Sequence, residues 1–319
     1  MFEQKKLVVS HPPFWHNGNR LTQRSYHIML AALPAVLVGF KTYGMPAVGV
    51  VCLSIASAIL WELGFNKVAK QPVTIGDGSA ALTGLLLAML FPATMPWWAV
   101  ITGTFLAIVI GKHIFGGIGS NAFNPVALAV AILMVSWKHL FDFDGMLVNY
   151  DLQFTALYPI AAAKHFGAQA AASFNLWDLA IGWQTGGIGT ACGLGLLLGG
   201  LYLMLRGFIR WEICLSFMAG IYISALLFHL VDPMRFAGPG FHLLAGYTLF
   251  GAIFLATEDS SSPVNFIPML IYGAAGGLMT VLIRNIGNYV DGVILAILVI
   301  NLVQPLLDKI RPQAIGKVV

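Results

Sequence analysis

Several short polar stretches interrupt an otherwise apolar sequence, and they carry the side chains that could bind a ligand or an ion. In GKHIFGGIGSNAFNPVALA, residues 111–129, four glycines precede Asn121 and Asn124. Glycine allows left-handed or closely packed backbone, and an asparagine amide can bond freed backbone groups or a ligand. Two interpretations follow: buried, non-helical backbone at membrane depth, or an ordinary turn beside Lys112.

A second stretch combines capping residues with a short apolar run. In TIGDGSAALTGLLLAMLFPATMPWW, residues 74–98, Asp77 and Ser79 precede about a dozen apolar positions. Both residue types cap helix N-termini. A half-helix that ends inside a membrane points its N-terminal dipole at a ligand, whereas a capped helix at the interface would have no such role.

Acidic residues mark two further positions. Glu258 and Asp259 end an apolar segment in LATEDSSSP, residues 255–263, and Asp291 opens another. Carboxylates near membrane depth are typical of a cation or proton path, but a solvated loop and a helix N-cap explain them as well. Asn301 lies inside the last apolar segment and is predicted to make a helix–helix hydrogen bond.

Composition places these stretches in a membrane protein. The chain has 319 residues, of which 58% are hydrophobic and 9% charged, whereas soluble domains carry about a quarter charged residues. The net charge of +4 is expected from cations that flank membrane segments, so no nucleic-acid partner is predicted. Three cysteines without paired spacing are predicted to be core residues, so neither an iron–sulfur cluster nor a metal site is expected in this chain.

The fold class predicted is all-α integral membrane, with about ten transmembrane helices. The candidate segments are 26–43, 44–64, 79–92, 96–111, 125–143, 187–206, 211–231, 240–257, 266–284 and 290–308. The third and the eighth are short, and each is third in its set of five. Short segments at corresponding places indicate two inverted halves with a binding site between them, although no residue-level match between the halves is evident.

Positive charge predicts the orientation. With the N-terminus in the cytoplasm, inner segments hold twelve Lys and Arg residues and outer segments five, as the positive-inside rule requires. The predicted organisation is a cytoplasmic segment 1–25, one transmembrane domain 26–308 with an outer loop near 144–186, and a cytoplasmic tail 309–319. We therefore expect a multi-pass protein of the cytoplasmic membrane with both termini inside.

The order of the motifs resembles one family. DGSAALTGLLLAMLFPATMPWW, GKHIFGGIGSNAFNPVALA, GGIGTACGLGLLLGG and GAIFLATEDSSSP are similar to stretches of the membrane-embedded D subunit of the Rnf electron-transport complex, which is related to the B subunit of the sodium-pumping NADH:quinone oxidoreductase. The likeness spans roughly residues 20–312. It implies ten transmembrane helices in two inverted halves, similar to a urea channel, in a bacterial or archaeal inner membrane.

The resemblance also implies a cofactor and partners. Such subunits carry FMN joined through its phosphate to a threonine in the outer loop. They work with other subunits that hold iron–sulfur clusters and flavins, and the complex couples ferredoxin/NAD or NADH/quinone electron transfer to sodium or proton translocation. Here the attachment threonine is replaced by Tyr158, in TALYP at 155–159, and Thr155 lies three residues earlier. The flavin is therefore covalent, non-covalent or absent.

These observations assign expected roles. The cofactor-binding residues expected are Thr155, Tyr158, Asn121, Asn124 and Ser79, and those of the ion path are Asp77, Glu258 and Asp291. The chain is predicted to be a membrane subunit of a redox-driven translocase that is not catalytic alone. The alternatives are a urea-channel-like transporter, or a membrane anchor, that has lost the flavin.

Overall fold

A computed structural model describes residues 21–72, 74–148, 150, 152, 154 and 157–310, and each of the ten predicted segments contains a helix. The first half consists of α1 (Leu21–Tyr43), α2 (Met45–Val68), α3 (Ser79–Leu90), α4 (Trp97–Phe105, continued as a π-helix over Leu106–His113) and α5 (Pro125–Ser136).

Short helices follow in the described part of the predicted outer loop, and then the second half begins. The short helices are α6 (Phe143–Met146), α7 (Pro159–Phe166), α8 (Ala168–Ala172) and α9 (Leu176–Ile181). The second half consists of α10 (Gly193–Leu205), α11 (Trp211–Val231), α12 (Pro239–Leu244), α13 (Thr248–Phe250, continued as a π-helix over Gly251–Leu255), α14 (Phe266–Asn285) and α15 (Val293–Leu307).

The distribution of polar and apolar side chains is that of a membrane protein. Helices α1, α2, α11 and α14 are each long and apolar enough to cross a bilayer. Large apolar side chains face outward, including Leu198 (64% exposed) and Leu230 (67% exposed), whereas the carboxylate-bearing Glu62 is fully buried. An apolar exterior around a partly polar interior suits a lipid solvent, so the prediction of an all-α, multi-pass membrane protein is confirmed.

The two halves repeat one order of elements. In each half two helices precede a short or broken third element, and two further helices follow. Equivalent helices meet across the molecule, since α1 packs on α10 and α5 packs on α15, while α2 packs on α4 as α11 packs on α14. The short segments predicted at the third place of each half are therefore present, as α3 and as α12 with α13.

Two segments are less helical than the sequence predicts. The sixth, predicted from 187, becomes helical only at Gly193, and residues 183–192 are largely buried without forming a helix. Their donors reach the end of α3, since the N–H of Ile188 bonds to the oxygen of Phe91 at 3.0 Å and that of Gly189 to Met89 at 3.0 Å. Buried non-helical backbone is tolerated because its polar groups are satisfied in this way.

The fifth segment, predicted over 125–143, ends as an α-helix at Ser136. Trp137 leaves the helical conformation with φ −135° and ψ 64°, and a 3₁₀ turn over Lys138–Phe141 follows. The polar pair Lys138 and His139 enters this turn, where side chains can reach water, so the apolar run overstates the length of the helix.

Candidate functional site

Polar residues from distant parts of the sequence line one cavity of about 280 Å³. We call it the Asn121 cavity. Five of the predicted site residues contribute to its wall, namely Asp77, Ser79, Asn121, Asn124 and Glu258, and they come from three separate segments. Apolar side chains of Leu82, Leu86, Ile253 and Phe254 complete the lining. The cavity thus has a polar part and an apolar part, as small-molecule sites usually have.

The glycine-rich stretch beside this cavity is an exposed turn with buried ends. Gly116, Gly117 and Gly119 have φ angles of 110°, 95° and 88°, and this left-handed backbone is open to glycine at no steric cost. Residues 114–120 are mainly exposed, whereas Asn121 and Asn124 are buried. The interpretation as buried, interrupted backbone is therefore wrong for the glycines, which reverse the chain so that the two amides enter the interior.

Asn124 links α5 to the end of the second half. Its Oδ1 accepts the N–H groups of Val126 and Ala127 at 3.0 Å each, and its Nδ2 donates to the oxygen of Leu255 at 3.0 Å. The side chain is 2% exposed. Asn124 therefore begins α5, as its sequence context predicts, and it also fixes the π-helical segment against the cavity.

Ser79 and Asp77 lie at the N-terminus of α3 and join a buried ion pair. Oδ1 of Asp77 accepts the N–H of Ser79 at 2.8 Å and its hydroxyl at 2.7 Å. The ammonium of Lys112 donates to Oγ of Ser79 at 2.7 Å and to Oε2 of Glu62 at 2.9 Å. A cation is thereby held at the cavity wall by a carboxylate and by a hydroxyl that a second carboxylate orients.

Glu258 forms a second acidic part of the cavity wall, and it is half-buried rather than free in a solvated loop. Its Oε1 accepts from Nδ2 of Asn121 at 3.0 Å, and its Oε2 accepts from Oγ of Ser261 at 2.5 Å. The neighbouring Asp259 pairs with Arg24 of α1. These contacts hold the 257–260 segment over the cavity.

Both π-helical segments end at this cavity. The segment Leu106–His113 brings Lys112 to the wall, and the segment Gly251–Leu255 contributes Ile253 and Phe254. A π-helix leaves backbone and side chains in non-standard register and is common at functional sites. Two such segments from different halves at one cavity favour a functional interpretation of it.

Asp291 and Tyr158 lie in a different cluster. Oδ1 of Asp291 is 3.0 Å from Nη2 of Arg284, which is 2% exposed. Its Oδ2 accepts the N–H of Tyr247 at 2.8 Å and the hydroxyl of Tyr158 at 3.2 Å. Oδ1 also accepts the N–H of Val293 at 3.1 Å, so Asp291 caps the start of α15 while it pairs with a buried cation.

The surroundings of Tyr158 do not fit a phosphoester. The side chain is 3% exposed and its hydroxyl is bonded to a carboxylate. Burial, and next the Asp291 charge, raise the pKa of Tyr158 well above its ordinary value, so the phenol is neutral and a poor nucleophile. Thr155 lies outside the described residues.

Two short helical elements run in opposite directions between the Asn121 cavity and the cluster around Asp291: helix α3, and the run from Thr248 to Leu255. Helix α3 begins at Ser79 in the Asn121 cavity, and the oxygen of Leu90 at its other end accepts the Tyr247 hydroxyl at 3.1 Å. The run that begins at Thr248 starts next to Tyr247 and leads back to Glu258. The 12 residues of α3 span roughly 18 Å at 1.5 Å per residue, which sets the separation of the clusters.

Several residues of these clusters were missed from sequence. Glu62 and Lys112 form one buried ion pair, and Arg284 belongs to another. The available signal was an ionisable residue inside an apolar segment, which is costly in a membrane and therefore informative. One residue-level match between the halves was missed as well, namely that of Asn124 with Asp291. Each lies at the start of the fifth helix of its half, and each accepts the N–H of the residue two positions later.

Asn301 makes the helix–helix contact predicted for it. Its side-chain amide lies 2.5 Å from the hydroxyl of Tyr272 on α14. With the amide turned so that its oxygen accepts, it also lies 3.0 Å from the N–H of Asn124. This buried amide therefore joins α15 both to α14 and to the start of α5.

Known proteins resemble this chain over nearly its whole length. The family model described as the NQR2, RnfD, RnfE family matches residues 8–316. The D subunit of the Na(+)-translocating ferredoxin:NAD(+) oxidoreductase complex of Acetobacterium woodii is 34% identical over 97% of this chain and 95% of its own length.

Two further relatives carry different names at similar identity. The D subunit of the proton-translocating ferredoxin:NAD(+) oxidoreductase complex of Clostridium ljungdahlii is 34% identical over 95% of this chain and 94% of its own. The D subunit of the ion-translocating oxidoreductase complex of Sodalis glossinidius is 33% identical over 97% of this chain and 98% of its own length. The resemblance expected from the motifs is confirmed, and the chain belongs to the NQR2, RnfD, RnfE family.

Proposed function

We propose that this chain is the membrane-embedded D subunit of an Rnf-type ion-translocating oxidoreductase. In such a complex it passes electrons of the ferredoxin/NAD type through a flavin and couples them to the movement of sodium or protons. Its relatives, which this chain matches over nearly their whole length, are named as subunits of such complexes. The chain would act with partner subunits that carry iron–sulfur clusters and flavins, and not as an enzyme alone.

The observation that carries the proposal is the convergence of five predicted residues on the Asn121 cavity. Ser79, Lys112 and Asn121 place polar atoms on its wall, and apolar side chains complete the lining. A wall with a polar part and an apolar part suits an isoalloxazine ring, which has polar carbonyl and nitrogen edges and an apolar benzenoid end. A flavin bound there would supply the capacity to carry one or two electrons.

The chain's own residues would bind and orient the ring. Ser79 and Asn121 are held by further hydrogen bonds to Asp77 and Glu258, so their positions are set before a ligand enters. Lys112 lies at the polar part of the wall, where its ammonium is paired with Glu62. Covalent attachment through Tyr158 is not supported by the buried position of that hydroxyl. We propose Thr155 as the attachment residue of a second FMN, joined covalently in the outer loop and distinct from the flavin of the Asn121 cavity.

For the ion, we propose entry near Asp77 and Glu258 and passage toward Asp291. The first two line the cavity at one end of α3, and the third lies in the cluster at its other end. Fully buried apolar residues, Leu87 and Phe250 among them, lie along the intervening elements. An ion would cross this region only when the packing changes, which is the step that redox state would control.

The test is electron-driven ion uptake. The complex is purified through a tag on this chain from its native host and reconstituted in liposomes. We expect partner subunits to copurify and ferredoxin oxidation by NAD to drive uptake of one cation, with Asn121→Leu reducing both rates at least tenfold. Passive flux through the isolated chain without an electron donor would instead support a transporter, and normal turnover of an Asn121→Leu complex would support a membrane anchor.

A further inference from the structure

A second, smaller cavity lies beside the Asp291 cluster and has a cationic lining. Its volume is about 60 Å³, and its lining includes Lys164, Arg235, His242, Arg284 and Asn285. We call it the Arg235 pocket. Within the described part of the chain it shares no lining residue with the Asn121 cavity and is separate from it. The roles proposed above do not use this pocket.

The charge of the pocket is positive. Lys164, Arg235 and Arg284 are cations, and among the residues that the structure describes no carboxylate lines the pocket. Asp291 pairs with Arg284 from outside the lining and compensates that charge, whereas Asp232 accepts the backbone N–H of Arg235. The ammonium of Lys164 donates to backbone oxygens of the 287–289 segment at 2.6 and 2.5 Å, which fixes the cation in place.

The pocket also holds polar atoms that lack a protein partner. His242 is 2% exposed, and neither of its ring nitrogens has a hydrogen bond within the part of the chain that the structure describes. Nδ2 of Asn285 is likewise buried and unpartnered there. A buried polar group without a partner costs free energy, so unpartnered atoms at a cationic pocket indicate a ligand that accepts hydrogen bonds.

Size restricts the ligand to a small group. A water molecule needs about 10–15 Å³ of such cavity volume, so the pocket holds roughly four waters, or the oxygens of one phosphate group. Arg235 is exposed and stands over the ring of Phe236, with 5.2 Å between its guanidinium carbon and the ring centroid. An arginine at the mouth of a pocket with amide and imidazole donors inside suits an oxyanion, which it can bind with two parallel hydrogen bonds.

We propose that the Arg235 pocket binds a phosphate group, supplied either by free phosphate or by the head group of an anionic lipid. Arg235 contacts the group at the mouth, while His242 and Asn285 donate from within. Lys164 and Arg284 contribute charge without leaving their present partners. The site lies on the side of the molecule opposite the Asn121 cavity, and it does not depend on the proposed redox function.

The experiment measures thermal unfolding of the full chain in maltoside detergent and phosphate-free buffer. One arm titrates inorganic phosphate at constant ionic strength, with gluconate as the control anion. A second arm adds phosphatidylglycerol, with phosphatidylcholine as the control lipid. We expect a saturable rise in unfolding temperature in at least one arm. Arg235→Gln and Asn285→Leu should each raise the ligand concentration at half-saturation about tenfold, because each removes a bond to a charged ligand.

Lys41→Gln is the matched control, since Lys41 is an exposed cation of the same predicted side that does not line the pocket. It should leave the titration unchanged. Arg235→Gln alters only an exposed side chain and keeps the test valid if Asn285→Leu fails to fold. A response to phosphate identifies the free ion as a ligand, and a response to phosphatidylglycerol alone identifies the lipid. The proposal is overturned if neither arm responds, or if Lys41→Gln weakens binding as much as Arg235→Gln.

Discussion

At the scale of residues, the two ion pairs of the described interior each hold a buried charge with a specific partner. Lys112 with Glu62, and Arg284 with Asp291, form ion pairs whose side chains are at most 6% exposed. Removing one member of a buried pair leaves an uncompensated charge, whereas removing both need not be costly. Single and double substitutions in these pairs should therefore differ in their effect.

Glu62→Gln and Lys112→Met should each destabilise the protein by about 3–5 kcal/mol, because each leaves a partner charge buried alone. The double variant should recover most of that loss. Unfolding of all four proteins in detergent, evaluated as a double-mutant cycle, measures the coupling. Additive losses in the double variant would mean that the two side chains act independently, contrary to the 2.9 Å contact between them.

Asp291→Leu should lower the free energy of unfolding much more than Tyr158→Phe does. The aspartate pairs with the buried Arg284 and accepts two backbone N–H groups, while the tyrosine contributes one hydrogen bond to it. We expect a loss of at least about 3 kcal/mol for Asp291→Leu and about 1 kcal/mol for Tyr158→Phe. The same unfolding assay compares them, and equal losses would refute the assignment of Asp291 as the centre of the cluster.

At the scale of elements, small residues set how closely the helices approach. A Cβ placed on Gly199 of α10 would overlap the carbonyl oxygen of Ala31 on α1, and one on Gly277 of α14 would overlap that of Phe217 on α11. Close helix contacts of this kind stabilise membrane proteins through packing, because lipid supplies no hydrophobic drive between helices.

Gly199→Leu should therefore abolish a monodisperse folded product, since α1 and α10 would have to separate. Gly64→Leu is the control, because a Cβ at Gly64 in α2 would meet no described atom within 4 Å. Size-exclusion chromatography of both variants gives the comparison. A normal profile for Gly199→Leu would show that the contact between the halves is looser than described.

Apolar runs in the sequence predicted where the helices lie, but they did not predict where the helices are interrupted. Residues 187–192 have the composition of a membrane helix, and only their bonds to Phe91 and Met89 explain the non-helical backbone. Likewise the sequence indicated Asn121, Asn124 and Glu258 separately, yet no spacing relates positions 137 residues apart such as Asn121 and Glu258. Long-range contacts decide these features, so sequence patterns along the chain could not predict them.

At the scale of the whole molecule, cations predicted for the two sides of the membrane occupy separate clusters. Arg24 and Lys112, predicted inside, lie at the Asn121 cavity, whereas Lys164, Arg235 and Arg284, predicted outside, line the Arg235 pocket. The charge bias along the sequence and the arrangement in space thus agree on two ends. Which end faces the cytoplasm stays a prediction of the positive-inside rule, which places the Asn121 cavity inside.

Cysteine labelling in intact cells tests that orientation. In a background without the native cysteines, Met234→Cys, at a position 67% exposed, should react with a membrane-impermeant thiol reagent. Lys70→Cys, at the other end of the molecule, should react only after the cells are opened. The reverse pattern would place the Asn121 cavity on the outer side and refute the predicted orientation.

The measurement that tests the central claim most directly is the flavin content of the complex isolated through this chain. We expect flavin to copurify, and a Leu86→Trp substitution that fills the Asn121 cavity should lower the flavin released by denaturation by one molecule per copy of this chain, leaving the flavins of the partner subunits in place. Any covalent flavin on this chain should map by peptide mass to Thr155 and not to Tyr158. A mildly purified complex without flavin, or one whose flavin is unchanged by Leu86→Trp, would contradict the account.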